Sequence, residues 1–183
     1  LPPFLKNVDR ISPPSTPHET QEDMIKTLDF AGEFEPAFID GVKEIFEDKI
    51  VFNRVLGLRI TELRPTTVKA RIEMRNDLIG HYAHNRIHGG VISACLDTMG
   101  GLACMVAIGA RHMDESPQKR LERFSKLGTI DLRVDYLRPG IGAWFELTAE
   151  VLRLGSRVGS TRMEFRGADG KLLSTGAGAY IVS

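Results

Sequence analysis

The chain has little cysteine, no excess of charge of either sign, and no apolar run long enough to cross a bilayer. Its two cysteines, Cys95 and Cys104, fall nine positions apart in one apolar stretch. On a helix that separation is ~13.5 Å of rise, whereas a disulfide needs Cα atoms within roughly 7 Å. An intrachain bridge is therefore excluded, and two free thiols fit a reducing cytoplasm, the expected compartment. Lysine plus arginine and aspartate plus glutamate each total 24, so the formal net charge is zero. Bulk nucleic-acid binding needs a basic surface that releases counterions, so no nucleic-acid partner is expected. The longest uncharged apolar run, 98–110, is shorter than the ~20 residues that span a bilayer, and no membrane span is expected. The start, Leu1-Pro2-Pro3-Phe4, lacks the basic-then-apolar layout of a secretory signal.

A length of 183 residues suggests one domain with a short appendage. Prolines 2, 3, 13, 14 and 17 sit among polar residues and read as an extended arm. Thr16-Pro17-His18-Glu19 fits a capping box that opens a short polar helix, stopped at Gly32. Residues 1–35 are thus expected to form an arm with a short helix, and 36–183 the folded domain. Pro36 opens a second helix, with Phe38, Val42, Ile45 and Phe46 on one stripe, expected to run to Phe52.

The period then changes. Leu58 to Leu63 and Val68 to Met74 alternate apolar with polar residues around the turn Pro65-Thr66-Thr67, a hairpin. A polar, histidine-rich loop covers 76–87. From His88 to Ala110 the chain is apolar on nearly every side, as in a helix wrapped by the rest of a fold. Residues 111–127 are charged and read as a surface excursion. Four strands follow: 130–136, 144–154, 158–166 and 171–182, the last two joined at Ala168-Asp169-Gly170. The order is helix, hairpin, buried helix, four antiparallel strands. An α+β domain with a six-stranded antiparallel sheet around a long central helix satisfies both patterns at once.

The chemistry concentrates in the buried helix. Gly89-Gly90 at its start leaves backbone N–H groups open to an approaching atom, and the helix dipole favours negative charge there. Such a start can serve as an oxyanion hole or merely allow close packing. Asp97 is the only acid of this helix. A carboxylate on a buried face must be paired, hydrogen-bonded or protonated. It is either a catalytic base or nucleophile, or a polar tie to a neighbouring strand. Asp97 lies about two turns inside the helix, ~10 Å along its axis from the glycines. Groups serving one carbonyl must each lie about 3 Å from the reacting atoms. If both act, the site draws on two subunits.

His88-Gly89-Gly90, Asp97 seven residues on, and a strand ending Tyr136-Leu137-Arg138-Pro139 together resemble the hotdog-fold thioesterases of the phenylacetyl-CoA thioesterase type. The resemblance covers about residues 50–183. It implies a hotdog fold, hydrolysis of an acyl-CoA substrate to a carboxylic acid and free CoA, no cofactor, and a homodimer or dimer of dimers with sites at the interface. It further implies that Gly89 supplies the oxyanion N–H and that Asp97 of the other subunit activates water or attacks. Gly90 would contact the substrate at the same helix start. Thr129 would orient water, and Asn85, three residues before His88, would help position water or the carbonyl. His88 is either a general base or a residue that orients the helix start. CoA carries phosphates, so Arg138 at a strand end and Arg157 in the Gly155-Ser156-Arg157-Val158 hairpin are the expected contacts. His81, His84 and His88 have no further acid or cysteine at ligand spacing, and no metal is expected. The alternative is a non-catalytic acyl-CoA-binding or sensing hotdog protein.

Overall fold

A computed structural model describes residues 33–183. The arm, capping box and first short helix expected before Gly32 lie outside the described residues. Helices α1 (Pro36–Lys43) and α2 (Val51–Leu56) precede strands β1 (Arg59–Leu63) and β2 (Thr67–Glu73). A small hairpin, β3 (Ile79–His81) and β4 (Arg86–Ile87), leads into the long helix α3 (Gly89–Arg111). Helix α4 (Pro117–Glu122) and strands β5 (Gly128–Tyr136), β6 (Trp144–Leu154), β7 (Val158–Gly167) and β8 (Leu172–Ile181) complete the chain.

Six strands form one antiparallel sheet in the order β1-β2-β6-β7-β8-β5. The alternation expected from the sequence is visible in β6, where Phe145, Leu147, Ala149 and Val151 are buried and their neighbours are half-buried. Those residues pack on α3, of which Cys95, Leu96, Met99, Leu102, Met105 and Val106 have no exposure. Helix α3 spans 23 residues and is apolar enough to cross a membrane, but 72% of its most apolar window is buried inside the fold. Its apolarity is accounted for by the sheet on one side and α1 with α4 on the other. Both cysteines lie on α3 as free, buried thiols, and burial pushes each up to about 12.

Two stretches differ from the sequence expectation. The helix expected to run unbroken from Pro36 to Phe52 is α-helical to Lys43, π-helical over Glu44–Lys49, broken at Ile50 and resumed as α2 to Leu56. Ile50 takes an extended backbone, and the side-chain amide of Asn53 donates to the Phe46 carbonyl (2.9 Å) that the break leaves over. The charged excursion 111–127 is no loose surface loop. Ser116 caps α4, and Arg120 within α4 is fully buried. Its guanidinium lies over the Phe38 ring, donates to the Gly109 carbonyl and pairs with Glu35. Phe124 and Leu127, which follow, pack against the core. The segment is therefore a strap across the C-terminal half of α3, clamped to α1.

The clamp predicts that Arg120→Ala empties a buried site and releases both Glu35 and the Gly109 carbonyl. Denaturant unfolding should show a loss of about 3 kcal/mol. An unchanged midpoint would remove Arg120 from the clamp.

Candidate active site

Helix α3 carries Asp97 to the junction of β5, β8 and α2. The carboxylate is half-buried and accepts a hydrogen bond from the Thr129 hydroxyl on β5, Oγ1 to Oδ1, at 2.9 Å. The Tyr180 phenol on β8 lies 3.1 Å from the Asp97 carbonyl and 3.4 Å from Oδ1, within reach of both. Oδ2 has no hydrogen-bond partner among the described residues. Beside the carboxylate opens a cavity of about 280 Å³ walled by Phe46, Ile50, Phe124 and Leu127. Thr129 and Tyr180 line it too, and so do Asn53 and Thr98, joined by a 2.9 Å bond from the threonine hydroxyl to the asparagine Oδ1. Asp97 is the one charged side chain among the residues lining it.

At the other end of the site candidates stands the start of α3. His88 caps the helix: its Nδ1 accepts from the Gly90 N–H at 2.8 Å. Nδ1 is the acceptor in this bond, which leaves Nε2 as the nitrogen that can donate. The Gly90 N–H is thereby committed within the chain. The Gly89 N–H has no acceptor among the described residues, and the Gly89 carbonyl accepts from the Tyr136 phenol at 3.0 Å. Gly89, Tyr136, Arg138 and Arg86 line a second cavity of about 320 Å³. Arg138 donates from Nη1 to the Leu172 carbonyl at 2.9 Å.

Asn85 stands apart from both cavities. It is exposed and is the one non-glycine with positive φ (48°) among the described residues, ending the 3₁₀ turn Tyr82–His84. Asparagine tolerates that left-handed geometry better than most residues, a backbone reason for its presence in the turn. Among the described residues no three metal-ligating side chains converge. The His81 and His84 rings stack on each other with centroids 4.8 Å apart.

Arg157 sits in the β6–β7 turn, its side chain exposed. Next to that turn is a third cavity, about 520 Å³, lined by Gly155 and Ser156, by the cations Arg111, Lys119, Arg123 and Lys126, and by one carboxylate, Glu122. Lys119 and Arg123 pair with Glu115, whose carboxyl is held down to about 2 chiefly by the Arg123 bond. Arg111 donates to the carbonyls of Leu154 and Gly155 and has no carboxylate within ion-pair distance among the described residues; burial lowers its pKa. The strap thus gives Phe124 and Leu127 to the apolar cavity and its cations to this one. Sequence reading singled out Asp97, Thr129 and the helix start, of which the structure brings Asp97 and Thr129 together, and it did not point to Tyr180, Asn53 or the strap.

Residues 84–174 match the Thioesterase superfamily. The medium/long-chain acyl-CoA thioesterase YigI of Salmonella typhimurium LT2 is 36% identical over 141 residues, 77% of this chain and 91% of that protein. A crystal structure of a Shewanella oneidensis protein related to the thioesterase superfamily is 37% identical, covers 82% of this chain and 100% of its own, and superposes with a TM-score of 0.75. Mouse thioesterase superfamily member 2 shares the fold at 16% identity, with a TM-score of 0.62 over 79% of this chain and 96% of that one.

The capping geometry predicts that His88→Ala lowers stability by about 1 kcal/mol, while His88→Asn, which keeps an acceptor at the cap, restores most of it. Urea titration of the two variants decides this. Equal losses in both would show that the cap bond contributes nothing.

Proposed function

Because the chain belongs to the thioesterase superfamily, we propose that it hydrolyses acyl-CoA thioesters, with Asp97 as the reacting carboxylate. The observation that carries the reading is a half-buried carboxylate, one oxygen held by Thr129, at the wall of an otherwise uncharged apolar cavity. The cavity suits a hydrocarbon acyl chain, and the curated relatives bear the name medium/long-chain acyl-CoA thioesterase. Thioester hydrolysis consumes water and needs no cofactor. An ionised Asp97 either removes a proton from that water or attacks the carbonyl to form an anhydride that water then opens. Both routes release a carboxylic acid and the thiol of CoA.

The developing oxyanion needs a donor beside Asp97. Gly89 offers a free N–H, but it begins the helix eight residues earlier, ~12 Å away along the axis. The sheet supplies a solution. β5 is an edge strand, paired with β8 on one side alone, and it exposes Ile130 (57%) and Tyr136 (54%). An unpaired edge of this length is a template for another strand. Thr129, beside Asp97, and Tyr136, bonded to Gly89, stand at opposite ends of β5, ~24 Å apart on the extended chain. Antiparallel pairing of two β5 strands about a two-fold axis between Leu132 and Arg133 sets Thr129 of one chain opposite Tyr136 of the partner subunit. The free Gly89 N–H of one subunit then comes to the Asp97 of the other, twice per dimer. The same pairing brings Arg138 of the partner subunit level with Leu127, next to the cation-lined cavity and the turn that holds Arg157. Phosphates of CoA are assigned to this group of arginines and lysines. Two free thiols suit a reducing compartment, and the enzyme is assigned to the cytoplasm.

Sedimentation equilibrium should return a dimer or a dimer of dimers. An active monomer at assay concentration would overturn the two-subunit site. Asp97→Asn keeps the size and removes the charge, so kcat for thiol release from a medium-chain acyl-CoA should fall by at least ~10² with the melting temperature nearly unchanged. A stable and fully active Asp97→Asn would leave the fold and remove the mechanism. No thiol release from the unmodified protein, with acyl-CoA still bound, would instead favour the sensing reading.

A further inference from the structure

We propose that Tyr180 is a positioning residue for Asp97: with Thr129 it holds Oδ1 of the carboxylate and leaves Oδ2 as the oxygen that reacts. The inference rests on the reading of Asp97 given above and extends it to a residue on a different strand. Two donors converge on one carboxylate oxygen, the Thr129 hydroxyl at 2.9 Å and the Tyr180 phenol at 3.4 Å, and neither is within bonding distance of the other oxygen. The phenol also lies 3.1 Å from the Asp97 carbonyl. A phenol has one proton, so it serves one acceptor at a time. An ionised carboxylate is the stronger acceptor, a neutral acid the weaker. The phenol proton therefore turns to Oδ1 when Asp97 is charged and back to the helix carbonyl when it is not, and it favours the charged form selectively.

The surroundings are shaped for this contact. Tyr180 is 1% exposed. A Cβ at Gly100 would stand 2.1 Å from its hydroxyl, and one at Gly178 would stand 2.8 Å from the same ring. Glycine inside a helix costs about 1 kcal/mol against alanine, and glycine inside a strand also weakens it. Two elements carry glycine where the phenol passes. Desolvation, and next the charge of Asp97, raise the Tyr180 pKa above its ordinary value, so it stays a protonated donor.

The groups around Asp97 make the pH readout specific. α2 contributes Asn53, the strap Phe124 and Leu127, β5 Thr129, β8 Tyr180 and α3 itself Thr98, none of which titrates below pH 9. The Cys104 thiol, which also acts on the phenol, is pushed up to about 12. In the dimer described above, the start of the partner subunit's α3, with its His88, faces the same site. Each profile is therefore repeated in a His88→Asn background.

The test is the pH dependence of kcat/KM for a medium-chain acyl-CoA between pH 4 and 9. A donor to the charged form lowers the pH at which that form is lost; removing the donor moves the acid limb up. Tyr180→Phe keeps the ring and should raise the acid limb by about 0.5–1 unit. Thr129→Val should do the same. 3-Fluorotyrosine placed at 180 keeps the fold and is a stronger donor, so it should move the limb down. A purely structural Tyr180 would lower the melting temperature and leave the limb in place in both variants, which overturns the inference. A limb that moves in the His88 background alone would also overturn it. Should the unmodified protein hydrolyse no acyl-CoA, the reading of the site falls and this inference with it. Hydrolysis with a fixed limb sinks this inference alone.

Discussion

One carboxylate on an otherwise apolar helix constrains the rest of the molecule. A helix as buried as α3 gives an acidic side chain little solvent, so the fold brings polar atoms to the half-buried Asp97. It does so from two strands that meet only through long-range pairing. Thr129 enters from β5 and Tyr180 from β8, and the register that sets Thr129 opposite Tyr180 puts both side chains over the same point of the helix. The bulge between Thr129 and Asp131 belongs to the same arrangement: it displaces Ile130 outward and lets Thr129 face the helix along with Leu132 and Val134.

The helix start obeys a separate logic. His88 closes the first turn by accepting from Gly90, which leaves one amide, that of Gly89, with no partner at the positive end of the dipole. Tyr136 fixes the peptide on the other side of Gly89 through its carbonyl. Gly89 and Asp97 of α3 are thus each tied to an end of β5, and a single strand serves as the ruler between them.

Much of this was legible in the sequence because it rests on periodicity. The all-round apolarity of 88–110, the alternation in 144–154 and the turn residues of 168–170 fix an α+β sheet around a helix, and Asp97 stands out as the lone acid on that helix. The two glycines at the helix start were legible as open backbone N–H groups, while Thr129 came with the family resemblance. Tyr180 was not legible: in the run Gly178-Ala179-Tyr180-Ile181 it is one more alternating strand residue, and only the β5–β8 register brings it over Asp97. Asn53 was hidden for another reason. Its part depends on the π-helical stretch and the break at Ile50, which a 3.6-residue period cannot register. The strap misled because its charges dominate the pattern of 111–127, while the residues that bind it to the core, Arg120, Phe124 and Leu127, are few and irregularly spaced.

The strap also ties two traits together in inheritance. Within 119–127 the odd man out is never far from its neighbour: Phe124 and Leu127 wall the apolar cavity, while Arg123 and Lys126 wall the cationic one. An insertion or shift in register there rotates every one of those side chains, so a lineage that resizes the apolar cavity by this route disturbs the cationic cavity in the same step. Phe46 and Ile50, carried ahead of the sheet, touch the apolar cavity alone. Divergence in the shape of the apolar cavity should therefore accumulate in 44–53, where change in one cavity leaves the other untouched.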